Sequence, residues 1–169
     1  MQRIPFFDVI KCIAIMLVCI GHCYAFIPNY PSVVRPVIYS FHMSLFMILC
    51  GFFADRALSL SWKDFIAKKG RQLLIPALST SLLLGILVSL LHNGTFLTEI
   101  YGGVWFLKAL FFCFLIVFVA NFFITSDIFA CLVSSIVLLV IPYGGSLMIN
   151  YYLLFFWTGY FLKKSIIYI

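Results

Sequence analysis

Six apolar runs, each near the length of a membrane-crossing helix, dictate what this chain can fold into. A helix needs about 20 mostly apolar residues to cross the hydrocarbon core of a bilayer. The runs fall at roughly residues 7–27, 37–55, 73–92, 104–124, 128–142 and 147–162. The last two are short, and Pro142-Tyr143-Gly144-Gly145 between them reads equally as a re-entrant turn. Pro28, Pro31 and Pro36 frame the first break, and Gly102-Gly103 close the third. Charged residues make up 9% of the chain, against about 25% in an average soluble domain. The expected fold class is therefore all-α, a polytopic membrane helical bundle of about six transmembrane helices. One integral-membrane domain is expected over residues 1–169.

Positive charge orients the bundle. The segment from Asp55 to Gln72, expected as a loop, holds Arg56, Lys63, Lys68, Lys69 and Arg71, and the chain end holds Lys163 and Lys164. Residues 92–103 contain no Lys or Arg and include Glu99. The positive-inside rule places the N-terminus, the 55–72 segment and the C-terminus in the cytoplasm, with Arg35 as the one exception on the outer side. The net charge of +6 thus reports orientation, and the expected partner is membrane lipid rather than nucleic acid. The first run lacks a clear A-x-A cleavage site and reads as an uncleaved span.

That first run carries three groups that lipid excludes. At about 100° per residue, Asp8, Lys11, Ile15, Val18, Cys19 and His22 fall along one stripe of a helix. A charge at mid-bilayer costs roughly 2.5–3.5 kcal/mol on insertion scales, so such groups face a protein interior or a wet cavity. Asp8 and Lys11 lie near the cytoplasmic face and His22 toward the outer one, about 21 Å away along the helix. That distance rules out a compact Asp–His pair. The next run returns inward, so His42 reaches the same outer depth as His22, and Lys108 lies toward that side too.

Imidazole titrates near neutral pH, with an unperturbed pKa of about 6.5, so His22 is suited to deprotonating a hydroxyl. The residue type fits a helix-packing histidine equally well. Cys19, His22 and Cys23 sit close enough on one helix to suggest a metal. Further ligands would be needed and no C-x-x-C pair occurs, so no metal is expected and the six cysteines read as packing.

Five segments together resemble the membrane acyltransferase 3 family. The first runs Arg3-Ile4-Pro5-Phe6-Phe7-Asp8-Val9-Ile10-Lys11 and on through Val18 to Gly21-His22. The second is Phe41-His42-Met43-Ser44-Leu45-Phe46-Met47-Ile48-Leu49-Cys50-Gly51-Phe52. Lys68-Lys69-Gly70-Arg71 leading to Ile75-Pro76, then Trp105-Phe106-Leu107, then Gly159-Tyr160 complete the set. The resemblance implies transfer of an acyl group, typically acetyl, from cytoplasmic acetyl-CoA or another acyl-CoA to a hydroxyl of a glycan or lipid-linked sugar.

By that likeness His22 is the central catalytic residue, with Asp8 and Lys11 supporting the site or the donor path. Lys68, Lys69 and Arg71 face the donor's phosphates, a role also compatible with charge-assisted hydrogen bonding to phosphate. Ordinary positive-inside anchoring explains those three residues as well. His42, Arg35 and Lys108 are candidates for holding the acceptor, although packing and interfacial snorkelling account for them too.

The chain departs from the family in having Lys11 and Lys68 where arginine is commoner, and Cys50 where serine precedes Gly51. Lysine keeps the charge but loses bidentate geometry. Family members usually have nearly twice as many spans, so the chain reads as the N-terminal part of a larger acyltransferase-like fold. A second polypeptide or a C-terminal half would complete it. Alternatives are a transporter or export component for polysaccharide precursors, to which intramembrane Asp, Lys and His are equally suited, and an inactive partner subunit. The expected location is the bacterial inner membrane.

Overall fold

The computed structural model describes residues 5–25, 34–92, 104–140 and 149–167, and the regular structure among them is entirely helical. α1 spans Pro5–Ala25 and α2 spans Val34–Phe52, whose Pro36 is tolerated in the first turn, where no intrahelical partner awaits its missing N–H. Short α3 (Asp55–Leu58) and α4 (Trp62–Lys69) follow. A π-helical turn, Gly70–Leu74, joins α4 directly to α5 (Ile75–His92). The last three helices are α6 (Trp105–Phe123), α7 (Asp127–Val140) and α8 (Ile149–Ile167). The breaks at Pro28, Pro31, Gly102-Gly103 and Pro142–Gly145 lie outside the described residues.

The basic loop expected over residues 55–72 is folded instead. Ser61 caps α4, its hydroxyl accepting from the Asp64 amide at 3.3 Å and donating to the Asp64 carboxylate at 2.7 Å. Reciprocal capping of this kind satisfies a donor that would otherwise be orphaned at the helix start. Phe65 is fully buried and stacks on Phe118 of α6 with ring centroids 4.1 Å apart. An amphipathic helix with one aromatic anchor thus replaces the loop.

Among the described residues, two helices combine the length and apolarity needed to cross a membrane: the continuous run Trp62–Leu90 and α6. α2 and α7 contain shorter apolar stretches, Phe41–Phe52 and Asp127–Ile136. Among the described side chains of α5 the buried ones are the small Ala77, Ser81 and Gly85, whereas Leu78, Leu82, Leu83, Ile86, Leu87 and Leu90 are exposed. Water would reject such a surface and hydrocarbon would not.

The core centres on α2 and α8, which pack together more extensively than any other pair. Gly51 of α2 and Gly159 of α8 bring the two backbones into direct contact. A methyl group on Gly51 would lie 2.0 Å from the Phe156 carbonyl oxygen, and one on Gly159 would lie 1.9 Å from the Ile48 carbonyl oxygen. Small residues permit this approach in membrane helices, where packing rather than hydrophobic exclusion drives association. Around the crossing, Met47, Leu153, Phe156 and Trp157 are buried, and Phe114 of α6 meets Phe156 edge-on at 4.8 Å. The Trp157 indole N–H donates to the Ser134 hydroxyl at 3.1 Å, tying α8 to α7.

One end of the bundle is held by charge. Lys163 is buried and its ammonium lies 2.5 Å from the Asp55 carboxylate at the start of α3. Its neighbour Lys164 pairs instead with Asp127, the first residue of α7, and Tyr160 donates to that same carboxylate at 3.0 Å. The hydrogen bond to Asp127 holds the Lys164 ammonium above the ordinary lysine range. Two adjacent lysines, about 100° apart around the helix, therefore engage two different elements.

Candidate functional site

α1 packs on α2, and among its described residues the buried ones are the small Ala14 and Gly21. Most of the polar stripe lies off that contact: Asp8, Ile15 and Cys19 are exposed, and Lys11 and Val18 are half-buried. Cys12 and Cys23 are exposed too, so packing does not account for the α1 cysteines as the sequence suggested. Cys113 is buried in the core, and Cys50 and Cys131 pack against it, as that description requires. The Lys11 ammonium is 4.0 Å from the Asp8 carboxylate, with the two side chains 43% and 56% exposed. A surface pair at this separation contributes at most about 1 kcal/mol. The same ammonium sits 4.3 Å from the ring centroid of Phe53, at the end of α2, which gives it a cation–π contact with a neighbouring element.

The basic cluster of α4 is divided. Lys69 turns inward, its ammonium 3.5 Å from the ring centroid of Phe114 on α6, while Lys68 and Arg71 are exposed. Lys11 of α1 and Lys69 of α4 thus each lie over a ring, Phe53 just past the end of α2 and Phe114 of α6, and Cys50 of α2 packs against the core that contains Phe114. The rings of Phe53 and Phe114 complete this junction of four helices. Chemically it is an anion-attracting surface, positive in charge and aromatic in its remaining area.

His22 lies on α1 eleven residues beyond Lys11, about 17 Å along the helix axis. The side chains of His22 and Arg35 fall outside the described residues. His42 is buried, and its Nδ1–H donates to the Ile38 carbonyl at 2.5 Å, one turn back on its own helix. Lys108 is half-buried in the first turn of α6. Phe46, one turn beyond His42, meets Phe106 at 5.9 Å, so His42 and Lys108 sit on neighbouring helices toward the same end. Trp105 lies against Tyr152 of α8 at 5.7 Å.

Val104, which precedes Trp105, has φ of 50°, a left-handed conformation unfavourable for a β-branched residue. Replacing Val104 with glycine is expected to stabilise the fold by about 1 kcal/mol by releasing that strain. Thermal unfolding of the detergent-solubilised protein measures it, and an unchanged or lower midpoint contradicts the strain. The sequence carried no signal for Phe53 or Phe114 as ring partners of the two lysines, because each pair comes from separate elements.

A family model described as an acyltransferase domain matches residues 4–168. No curated protein and no solved structure matches the chain.

Proposed function

The chain belongs to the acyltransferase 3 family, and from that premise we propose that this membrane acyltransferase moves an acetyl group from acetyl-CoA to a hydroxyl of a glycan or lipid-linked sugar. The observation that carries this reading is the pair of ring-seated ammonium groups, Lys11 over Phe53 and Lys69 over Phe114. Donor phosphates are drawn to paired ammonium groups, and the exposed Lys68 and Arg71 extend the positive field around them.

In this reading the donor enters at the lysine end of α1 and the chemistry takes place higher, at His22. The imidazole of His22 takes the proton of the acceptor hydroxyl. The oxygen attacks the thioester carbonyl, the C–S bond breaks, and CoA leaves as a thiolate that the imidazolium reprotonates. Asp8 holds Lys11 near the donor path, and Arg35, His42 and Lys108 serve the acceptor side. We place the chain in the bacterial inner membrane with about six spans and both termini cytoplasmic, on the strength of its charge distribution.

The exposed Asp8 favours further helices around this unit. A charged helix face does not rest against lipid tails. A second polypeptide or a C-terminal half would supply those helices.

Membranes containing the chain, incubated with radiolabelled acetyl-CoA, are expected to transfer label to a glycan or lipid-linked fraction, with unlabelled CoA competing. Membranes that neither transfer label nor bind CoA would reject the assignment. Movement of a polysaccharide precursor without acyl-CoA would favour transport instead.

A further inference from the structure

The route from Lys163 to Lys69 is short and continuous. Lys163 is 7% exposed, so its ammonium depends on Asp55, its partner at 2.5 Å. A buried charge left without its partner is strongly unfavourable. Asp55 opens α3, a single helical turn of four residues. One bend later Ser61 caps α4, and α4 ends at Lys69 over Phe114. From Asp55 to Lys69 the elbow buries Ala57 and Phe65 and packs Leu58, Leu60 and Ile66 against the core. The ion pair is the charged anchor at its leading end.

We propose that Lys163 and Asp55 are positioning residues that set the α3–α4 elbow, and through it the placement of Lys69 over Phe114. The adjacent pair provides an internal contrast. Lys164 engages Asp127 and Tyr160, which hold α7 and α8 and do not touch the elbow. If the elbow is set by charge pairing, the two neighbouring lysines differ in what they control although both stabilise the same end of the bundle. The link from Lys69 to donor binding rests on the acyltransferase reading above, whereas the link from Lys163 to the placement of Lys69 does not.

The test uses the whole chain in detergent with two readouts. The first is maleimide modification of Cys50, followed by peptide mass spectrometry. Asp55→Asn and Lys163→Met are expected to raise the Cys50 labelling rate several-fold, because Cys50 packs against the core to which Ala57 and Phe65 of the elbow belong. Lys164→Met lowers the melting temperature without changing that rate. The charge exchange Asp55→Lys with Lys163→Asp restores slow labelling.

The second readout is CoA binding. Asp55→Asn and Lys163→Met weaken it about tenfold, Lys164→Met leaves it as in the parent, and the charge exchange recovers it. Equal Cys50 labelling in the Lys163 and Lys164 variants would overturn the positioning role. Failure of the exchange to restore slow labelling would do the same. If the parent chain binds no CoA, the donor assignment falls, and the labelling result still decides the role of Lys163.

Discussion

Replacing Gly159 with leucine is expected to leave no folded protein to purify. The hydrogen that Gly159 presents to α2 occupies space in which even a methyl carbon would lie 1.9 Å from the Ile48 carbonyl oxygen and 2.9 Å from the Ile48 Cα. These are backbone atoms, so no side chain can rotate away to make room. The helices must separate, and with them the contacts of Met47, Leu153 and Phe156 that make up the largest interface in the bundle. Overpacking a core typically costs about 1–3 kcal/mol, and a clash with rigid backbone belongs above that range. Total stability is about 5–15 kcal/mol, so such a loss is a large share of it.

Gly51→Ala is expected to behave in the same way, since its methyl would meet the Phe156 carbonyl at 2.0 Å. Gly70→Ala is the control. Nothing lies within 4 Å of its added carbon, and alanine favours a helix over glycine by up to about 1 kcal/mol. Size-exclusion yield and melting temperature separate the cases. A Gly159→Leu protein that elutes and melts like the parent would show that the two helices do not meet at this crossing.

Much of the helical layout was legible because membrane spans are written locally. The expected runs 104–124 and 73–92 became α6 (105–123) and α5 (75–92), with ends displaced by only one or two residues. The run expected to end at 162 continues as α8 through Ile167, because Lys163 and Lys164 find carboxylates and need not leave the helix for water. The 55–72 segment was misread because its high charge hid one apolar face, although Ser61 and Asp64 carried the capping signal. Pairings between distant elements left no such trace. Nothing local joins Asp55 to Lys163, Asp127 to Lys164, or Gly51 to Phe156. The resemblance contained Gly51 and Gly159 without a reason for either, and the crossing supplies one. Of the basic cluster, only burial separates Lys69 from Lys68 and Arg71, and burial of one lysine among three is decided by tertiary packing.

The two ends of the α1 stripe are expected to fail in different ways. His22→Ala should lower the rate of acyl transfer by about 10²–10⁴-fold, the range a positioned acid–base group supplies. Membrane insertion and melting temperature should stay as in the parent, and the KM for acyl-CoA should change little. Lys11→Gln should instead raise the KM for acyl-CoA about tenfold, with a smaller effect on kcat. The ammonium lies about 17 Å along the helix from His22 and over the Phe53 ring, away from the histidine. A group that contributes binding equally to ground and transition states moves KM, and one that acts only in the transition state moves kcat. Steady-state kinetics with acetyl-CoA varied at saturating acceptor distinguish the two. If His22→Ala retains full turnover, the base lies elsewhere and the stripe is a packing feature. If Lys11→Gln lowers kcat while leaving KM unchanged, donor phosphates do not bind at the Lys11–Lys69 junction, and the acyl group reaches His22 by another path.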